Sequence, residues 1–171
     1  KKQEVRFFHK QKRDAMNPRE ILEKSKQICG RILQSGIYKN CSILYAYFAL
    51  GNEVDCREVV QQAFCDGKAV ALPKTLPDSQ MEFYRIASLC DVTEGKFHVM
   101  EPLINGPPLQ YCDALVLVPG VVFDEEGGRY GYGKGYYDRY FKRYPKLRRA
   151  GVAYAHQMER SLLLSDHEQR M

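Results

Sequence analysis

Hydrophobic positions along the chain repeat with two different periods. After Asn17, small and apolar residues recur every three or four places, so that Ile21, Leu22, Ser25, Ile28, Cys29, Ile32 and Leu33 share one face of a predicted helix. Asn17 is placed to cap that helix, Pro18 stands in the first turn where its missing N–H does no harm, and Glu20 holds the capping-box position. Gly36 is the expected stop. Residues 42–50 are aromatic or branched on both faces, as in a strand buried within a parallel sheet, and Gly51-Asn52 ends the run. Asp55-Cys56-Arg57-Glu58 repeats the capping-box pattern and opens a helix that buries Val59, Val60, Ala63 and Phe64 before Asp66-Gly67 breaks it. Further strands are predicted at 69–72, closed by Pro73, at 81–86 with the alternation of a half-exposed strand, at 114–118 and at 150–155. Residues 2–16 read as a polar helix with little apolar periodicity. Strands alternating with helices predict an α/β fold, a three-layer α/β/α arrangement around a mainly parallel sheet, in one domain over 1–171. Ligands of such sheets sit beyond the carboxyl ends of the strands.

Composition narrows the class. With 44% hydrophobic and 27% charged residues the chain has material for a packed core. Its longest apolar stretch, Ile43 to Leu50, is too short for a bilayer, which takes about 20 residues by helix. The basic start has no apolar run behind it, so neither a membrane span nor a signal peptide is expected, and a cytoplasmic location is. Cysteines 29, 41, 56, 65, 90 and 112 contain no C-x-x-C pair and no nearby histidine cluster, which argues against zinc; buried free thiols are expected. His9, His98 and His156 have no visible partner and are assigned no chemistry.

The net charge of +5 is unevenly spread. Residues 1–13 hold six Lys or Arg and one acid, residues 129–149 hold eight and one, and the remainder is acidic. Such concentration attracts a compact polyanion as readily as a long one.

The second basic segment overlaps a glycine-rich run from Pro119 to Asp138, P-G-V-V-F-D-E-E-G-G-R-Y-G-Y-G-K-G-Y-Y-D. Gly131, Gly133 and Gly135 alternate with other residues, Arg129 and Lys134 are interleaved, and a short helix is expected to begin near Gly135. Glycines let backbone N–H groups approach phosphate oxygens, and a helix N-terminus adds a favourable dipole. Gly128 to Lys134 has P-loop spacing, but Gly135 stands where a P-loop needs Ser or Thr, and the loop lies ten residues beyond its strand. A P-loop NTPase is therefore rejected, while phosphate binding is kept.

The same run resembles the signature of the 5-formyltetrahydrofolate cyclo-ligase family: Pro119, Gly120, Phe123, Asp124, Gly127 or Gly128, Arg129, Gly131, Gly133, Gly135, Tyr136, Tyr137, Asp138 and Arg139. The likeness extends to Lys2 and Arg6, Glu53-Val54-Asp55, Gly67-Lys68, Leu72-Pro73, Glu101-Pro102 and Gly151 to Tyr154 with Gln157. Tyr130, Val121-Val122 and Cys56 depart from the usual pattern without removing a charge.

The resemblance implies conversion of 5-formyltetrahydrofolate and MgATP to 5,10-methenyltetrahydrofolate, ADP and phosphate. A formamide oxygen leaves poorly, so ATP phosphorylates it; N10 then attacks the carbon and phosphate departs. Alignment and cations, rather than a protein nucleophile, carry such a step. It further implies that Arg129, Tyr130, Gly131, Tyr132, Gly133, Lys134, Gly135, Tyr136 and Tyr137 wrap ATP, with Lys134 and Arg129 catalytic and Lys2 and Arg6 closing over the nucleotide. Glu53 would hydrogen-bond the pterin and Phe48 pack on it, with residues 132–136 bordering both ligands. Asp138 would hold Mg2+, joined by Glu168, which stands where the family has Asp after His. The expected partners are the two small molecules, with a monomeric protein, no nucleic acid and no membrane. Two rival readings remain: a small RNA-binding module, since 129–149 holds six tyrosines among its cations, and an inactive folate-binding relative.

Overall fold

The computed structural model describes residues 1–110 and 113–171. Helices α1 (Lys2–Asp14) and α2 (Pro18–Gln34) and the single turn α3 (Gly36–Lys39) lead into strand β1 (Ile43–Tyr45). Helix α4 (Arg57–Cys65) links it to β2 (Ala69–Thr75), which returns as β3 (Met81–Ile86). A hairpin of β4 (Val92–Glu94) and β5 (Met100–Pro102) precedes β6 (Leu115–Val118). Then come β7 (Val122–Asp124), β8 (Arg129–Tyr130), helix α5 (Tyr136–Arg143), β9 (Arg148–Gly151) and β10 (Met158–Glu159).

The central sheet has the order β3-β2-β1-β6-β9, parallel throughout except for the antiparallel β2–β3 pair. Because strand side chains alternate between faces, Leu44, Val70, Leu72, Leu115 and Leu117 pack on one side with Cys29 of α2 and Val59, Val60 and Ala63 of α4. Ile43, Tyr45, Ala71, Val116 and Val118 pack on the other with Tyr140 and Phe141 of α5. Three layers result, as expected of α/β/α.

Local chemistry explains where several elements start and stop. Asn17 Oδ1 accepts the Glu20 N–H at 2.9 Å and Glu20 accepts the Asn17 N–H at 3.1 Å, the reciprocal cap read from the sequence. Gly36 is not the stop: Ser35 ends α2 with extended backbone, its hydroxyl donating to Ile32 O, and α3 starts at Gly36. Leu22, expected on the buried face, is exposed. Asp55 accepts the Arg57 N–H at 3.0 Å and is otherwise taken by the Arg57 side chain, so α4 lacks the reciprocal bond to Glu58.

The strands differ from expectation for identifiable reasons. β1 stops at Tyr45: Ala46 still donates to Ala71 O, after which the chain runs along a cleft lined by Tyr47, Phe48 and Leu50. β2 continues through Pro73: Ala71 O accepts from Ala46 N, so Pro73, two residues on, turns its N–H-free nitrogen toward the side where β1 has already ended. β3 is buried rather than half-exposed, with Phe83 stacked on Tyr45 at 4.5 Å and Glu82 ion-paired to Arg143 of α5. β9 occupies 148–151 rather than 150–155, after which the chain turns at Ala155–Gln157. Cys29, Cys41 and Cys56 are buried and unpaired as expected, but Cys65 and Cys90 are exposed; Cys112 lies outside the described residues. Among the described residues no helix is long and apolar enough to cross a membrane.

Candidate active site

β1 and β6 are adjacent and parallel, yet the chain leaves them in opposite directions, through α4 to β2 and through α5 to β9. Loops that diverge at the carboxyl ends of neighbouring strands leave a crevice between them. Here it is a cleft of about 330 Å³.

The loop after β1 contributes Phe48 and Glu53. Phe48 is half-buried, with the Arg57 guanidinium 5.9 Å from its ring centre. Glu53 Oε1 accepts the Leu50 N–H at 3.3 Å, while the buried Oε2 has no partner among the described residues. Burial raises the Glu53 carboxyl above its ordinary range, against the pull of Arg13. Tyr132 accepts from Arg13 Nη2 at 2.6 Å and leaves its own proton available to Glu53. Burial and the Glu53 charge together push the Tyr132 phenol up to about 12.

Across the cleft, the glycine-rich loop forms the second wall. Gly133 (φ +90°) and Gly135 (φ +70°) adopt left-handed backbone that side chains resist, which folds residues 133–135 into a tight turn ahead of α5. Arg139 binds the Lys134 and Gly135 carbonyls, at 2.8 Å through its side chain and 3.0 Å through its N–H. The N–H groups of residues 133–135 have no hydrogen-bond partner among the described residues. Free amides beside a helix N-terminus suit an anion. Lys134 stands exposed on this turn, its ammonium 5.7 Å from the Phe97 ring at the tip of the β4–β5 hairpin.

The remaining sequence-predicted residues occupy varied positions. Arg129 is buried beneath the loop, its Nε donating to Pro119 O at 2.8 Å and its guanidinium 5.0 Å from the Tyr137 ring centre. Burial pulls Arg129 below its ordinary value, with Asp138 and Tyr137 opposing. Gly131, Tyr136 and Tyr137 line the wall, and Arg6 reaches it from α1 by donating from Nε to Gly131 O at 2.8 Å. Lys2 and Tyr130 do not line the cleft. Lys2 bonds Ser165 Oγ at 2.7 Å and pairs with Glu168, while Tyr130 is buried and donates to Leu163 O at 2.7 Å.

Asp138 and Glu168 share one end of the cleft. Asp138 Oδ1 accepts the Gln169 N–H at 2.9 Å, and the Glu168 contacts with Lys2 and Ser165 fall on Oε2. Although burial opposes it, the Lys2 and Ser165 donors hold Glu168 below its ordinary range. Among the described residues no three His, Cys, Asp or Glu gather as a metal cage. Two carboxylates with room for phosphate oxygens and water fit magnesium, which rarely uses an all-protein cage.

Two further residues belong to this assembly. Arg13, buried on α1, holds Tyr132 and donates to Gly120 O at 3.2 Å. His9, also buried, fixes α1 to residues 156–159. Lys2, Arg6, His9 and Arg13 recur at helical spacing along α1, so a polar stripe, rather than an apolar one, was the signal that could have found them.

Fold and cleft define an α/β protein whose mainly parallel sheet carries a crevice walled by the loop after β1 on one side and the glycine-rich loop on the other. The chain belongs to the 5-formyltetrahydrofolate cyclo-ligase family, whose sequence profile matches residues 1–169. It is 34% identical over 131 residues to the probable 5-formyltetrahydrofolate cyclo-ligase of Schizosaccharomyces pombe, a match covering 72% of this chain and 63% of the relative's length. It is 27% identical to the 5-formyltetrahydrofolate cyclo-ligase of Escherichia coli, covering 86% of this chain and 83% of that one. The solution structure of Aquifex aeolicus 5,10-methenyltetrahydrofolate synthetase superposes with a TM-score of 0.86 at 30% identity, over 99% of this chain and 86% of the other.

Proposed function

We propose that this protein uses ATP to convert 5-formyltetrahydrofolate into 5,10-methenyltetrahydrofolate, ADP and phosphate. One observation carries the reading: a single cleft joins the buried Glu53 carboxylate, which beyond the Leu50 N–H and the Tyr132 hydroxyl has acceptor capacity to spare, to a turn at 133–135 whose amides have no partner among the described residues and which carries Lys134. A pterin offers ring N–H donors to the first, and a triphosphate suits the second.

Glu53 orients the pterin against Phe48, with Tyr132 held in place by Arg13. The turn at 133–135 receives the phosphates, and Lys134 supplies charge where phosphoryl transfer develops it. Arg129, buried behind the turn, adds a fixed positive field there. Arg6 ties α1 over the nucleotide, and Lys2 reaches the same end of the cleft through its pair with Glu168. Asp138 and Glu168 would hold Mg2+, which when bound neutralises phosphate charge. The 129–149 tyrosines point away from RNA stacking: Tyr130 and Tyr140 are buried, Tyr136, Tyr137 and Tyr144 are half-buried, and Tyr132 alone among the six is exposed.

The test is turnover of 5-formyltetrahydrofolate and MgATP, read by methenyl product absorbance with ADP release, beside filter binding of RNA. Product formation dependent on both substrates is expected. Tight RNA binding without turnover would overturn the assignment, and folate binding without turnover would favour an inactive relative.

A further inference from the structure

α1 brings Arg6 to the cleft and Arg13 to Tyr132 beside it, and apart from Val5, which packs against Val122, Tyr130 and Leu162, its docking is polar. Its two buried residues are His9 and Arg13, while Phe7 and Phe8 are exposed. What sets its position is therefore a question of polar bonds, and His9 makes the telling pair.

His9 Nδ1 lies 2.9 Å from His156 O, and Nε2 lies 2.8 Å from Glu159 Oε1. A backbone carbonyl only accepts, and Glu159, 44% exposed, presents a carboxylate oxygen as acceptor. A neutral imidazole has one N–H and can satisfy one of them; satisfying both takes the imidazolium. With 2% exposure the cation has little water, and the Glu159 carboxylate compensates it. His156 is the titratable neighbour of the ring, with the Phe8 ring edge-on at 5.4 Å, and the charges of Lys24, Lys12 and Arg13 act on His156. Burial, then Lys24 and His9, hold His156 below its ordinary value.

This clamp leads directly to the loop. Gln157, adjacent to His156, donates to Gly120 O and Val121 O at 2.9 and 3.0 Å, and Arg13 also donates to Gly120 O. His9 thus fixes α1 to the peptide that anchors the start of the glycine-rich loop, one turn from Arg6 on Gly131 O and one turn from Arg13 on Tyr132.

Resting on the function proposed above, we propose that protonated His9 is a positioning residue that locks α1 over the cleft, so nucleotide affinity weakens as the ring loses its proton. KM for ATP should rise about tenfold from about pH 6 to about pH 9, the loss of one charge-assisted hydrogen bond, with kcat nearly constant. In His9→Gln, which cannot titrate, KM should be raised and flat over that range. In Glu159→Gln, which keeps an acceptor but drops the charge, the rise should begin at lower pH. A purely structural histidine would change the melting temperature without changing the slope. In ¹⁵N-histidine NMR of the wild-type chain at about pH 6, both His9 ring nitrogens should carry protons. A neutral ring in the folded protein there, or a wild-type KM slope in His9→Gln, would overturn the inference. Should the protein not turn over the folate at all, the functional proposal fails, while the NMR protonation state still decides this one; it also decides if His9→Gln does not fold.

Discussion

Replacing Glu53 by Gln should stabilise the protein and weaken it as an enzyme. Oε2 is buried without a partner among the described residues, and burial raises the carboxyl above its ordinary range. A group whose folded value is raised costs stability wherever the unfolded chain would be ionised, and neutral pH lies in that window. An unsatisfied buried group costs about 1–3 kcal/mol, and Arg13 with the Leu50 N–H offset part of it, leaving about 1 kcal/mol for the amide to recover. For a chain of this size that is a rise in Tm of about 2–4 °C by thermal unfolding. Binding moves the other way: charged hydrogen bonds to the pterin are worth about 1.5–3 kcal/mol, so KM for 5-formyltetrahydrofolate should rise about 10- to 150-fold, with KM for ATP little changed. A destabilised variant with unaltered folate KM would show that Glu53 is a fold residue and that its free oxygen faces no ligand.

Other substitutions probe the second wall. Lys134→Ala should lower kcat about 100- to 1000-fold while leaving Tm unchanged, since the side chain is exposed; unchanged turnover would remove its role. Asp138→Asn keeps an acceptor for the Gln169 N–H, so it should fold normally and need at least about tenfold more magnesium for half-maximal rate, as read by metal titration of turnover. Gly120→Ala would place a methyl 2.6 Å from Phe123 Cζ, overpacking a closed site, and should cost about 2 kcal/mol in denaturant unfolding.

Much of this architecture was legible because its causes are local. The Asn17 and Glu20 cap, the α5 start at Gly135 and the apolar runs of β1 and β6 depend on neighbours a few residues away. The end of β1 was not legible: Ala46 and Tyr47 are apolar core residues and Tyr47, Phe48 and Leu50 line a cleft, and period alone cannot distinguish that burial from a strand's. Pro73 signals a strand end, yet it is tolerated where one sheet neighbour has stopped. The glycine turn and Glu53, singled out from the sequence, both line the cleft, whereas Arg13 and His9 were given no role there. Their partners lie more than a hundred residues away, at Gly120, Tyr132, His156 and Glu159.

The fastening of α1 by ions and hydrogen bonds separates two kinds of failure. Salt screens exposed charges more than buried pairs or apolar packing, and among the tethers of α1 the Lys2–Glu168 pair, with Lys2 31% open to solvent, is of the screened kind, while His9 and Arg13 are buried. The sheet and its flanking helices rely on the other kind. A saline medium should therefore slacken the Lys2 end of α1 first, leaving the His9 and Arg13 end and the sheet beneath it in place.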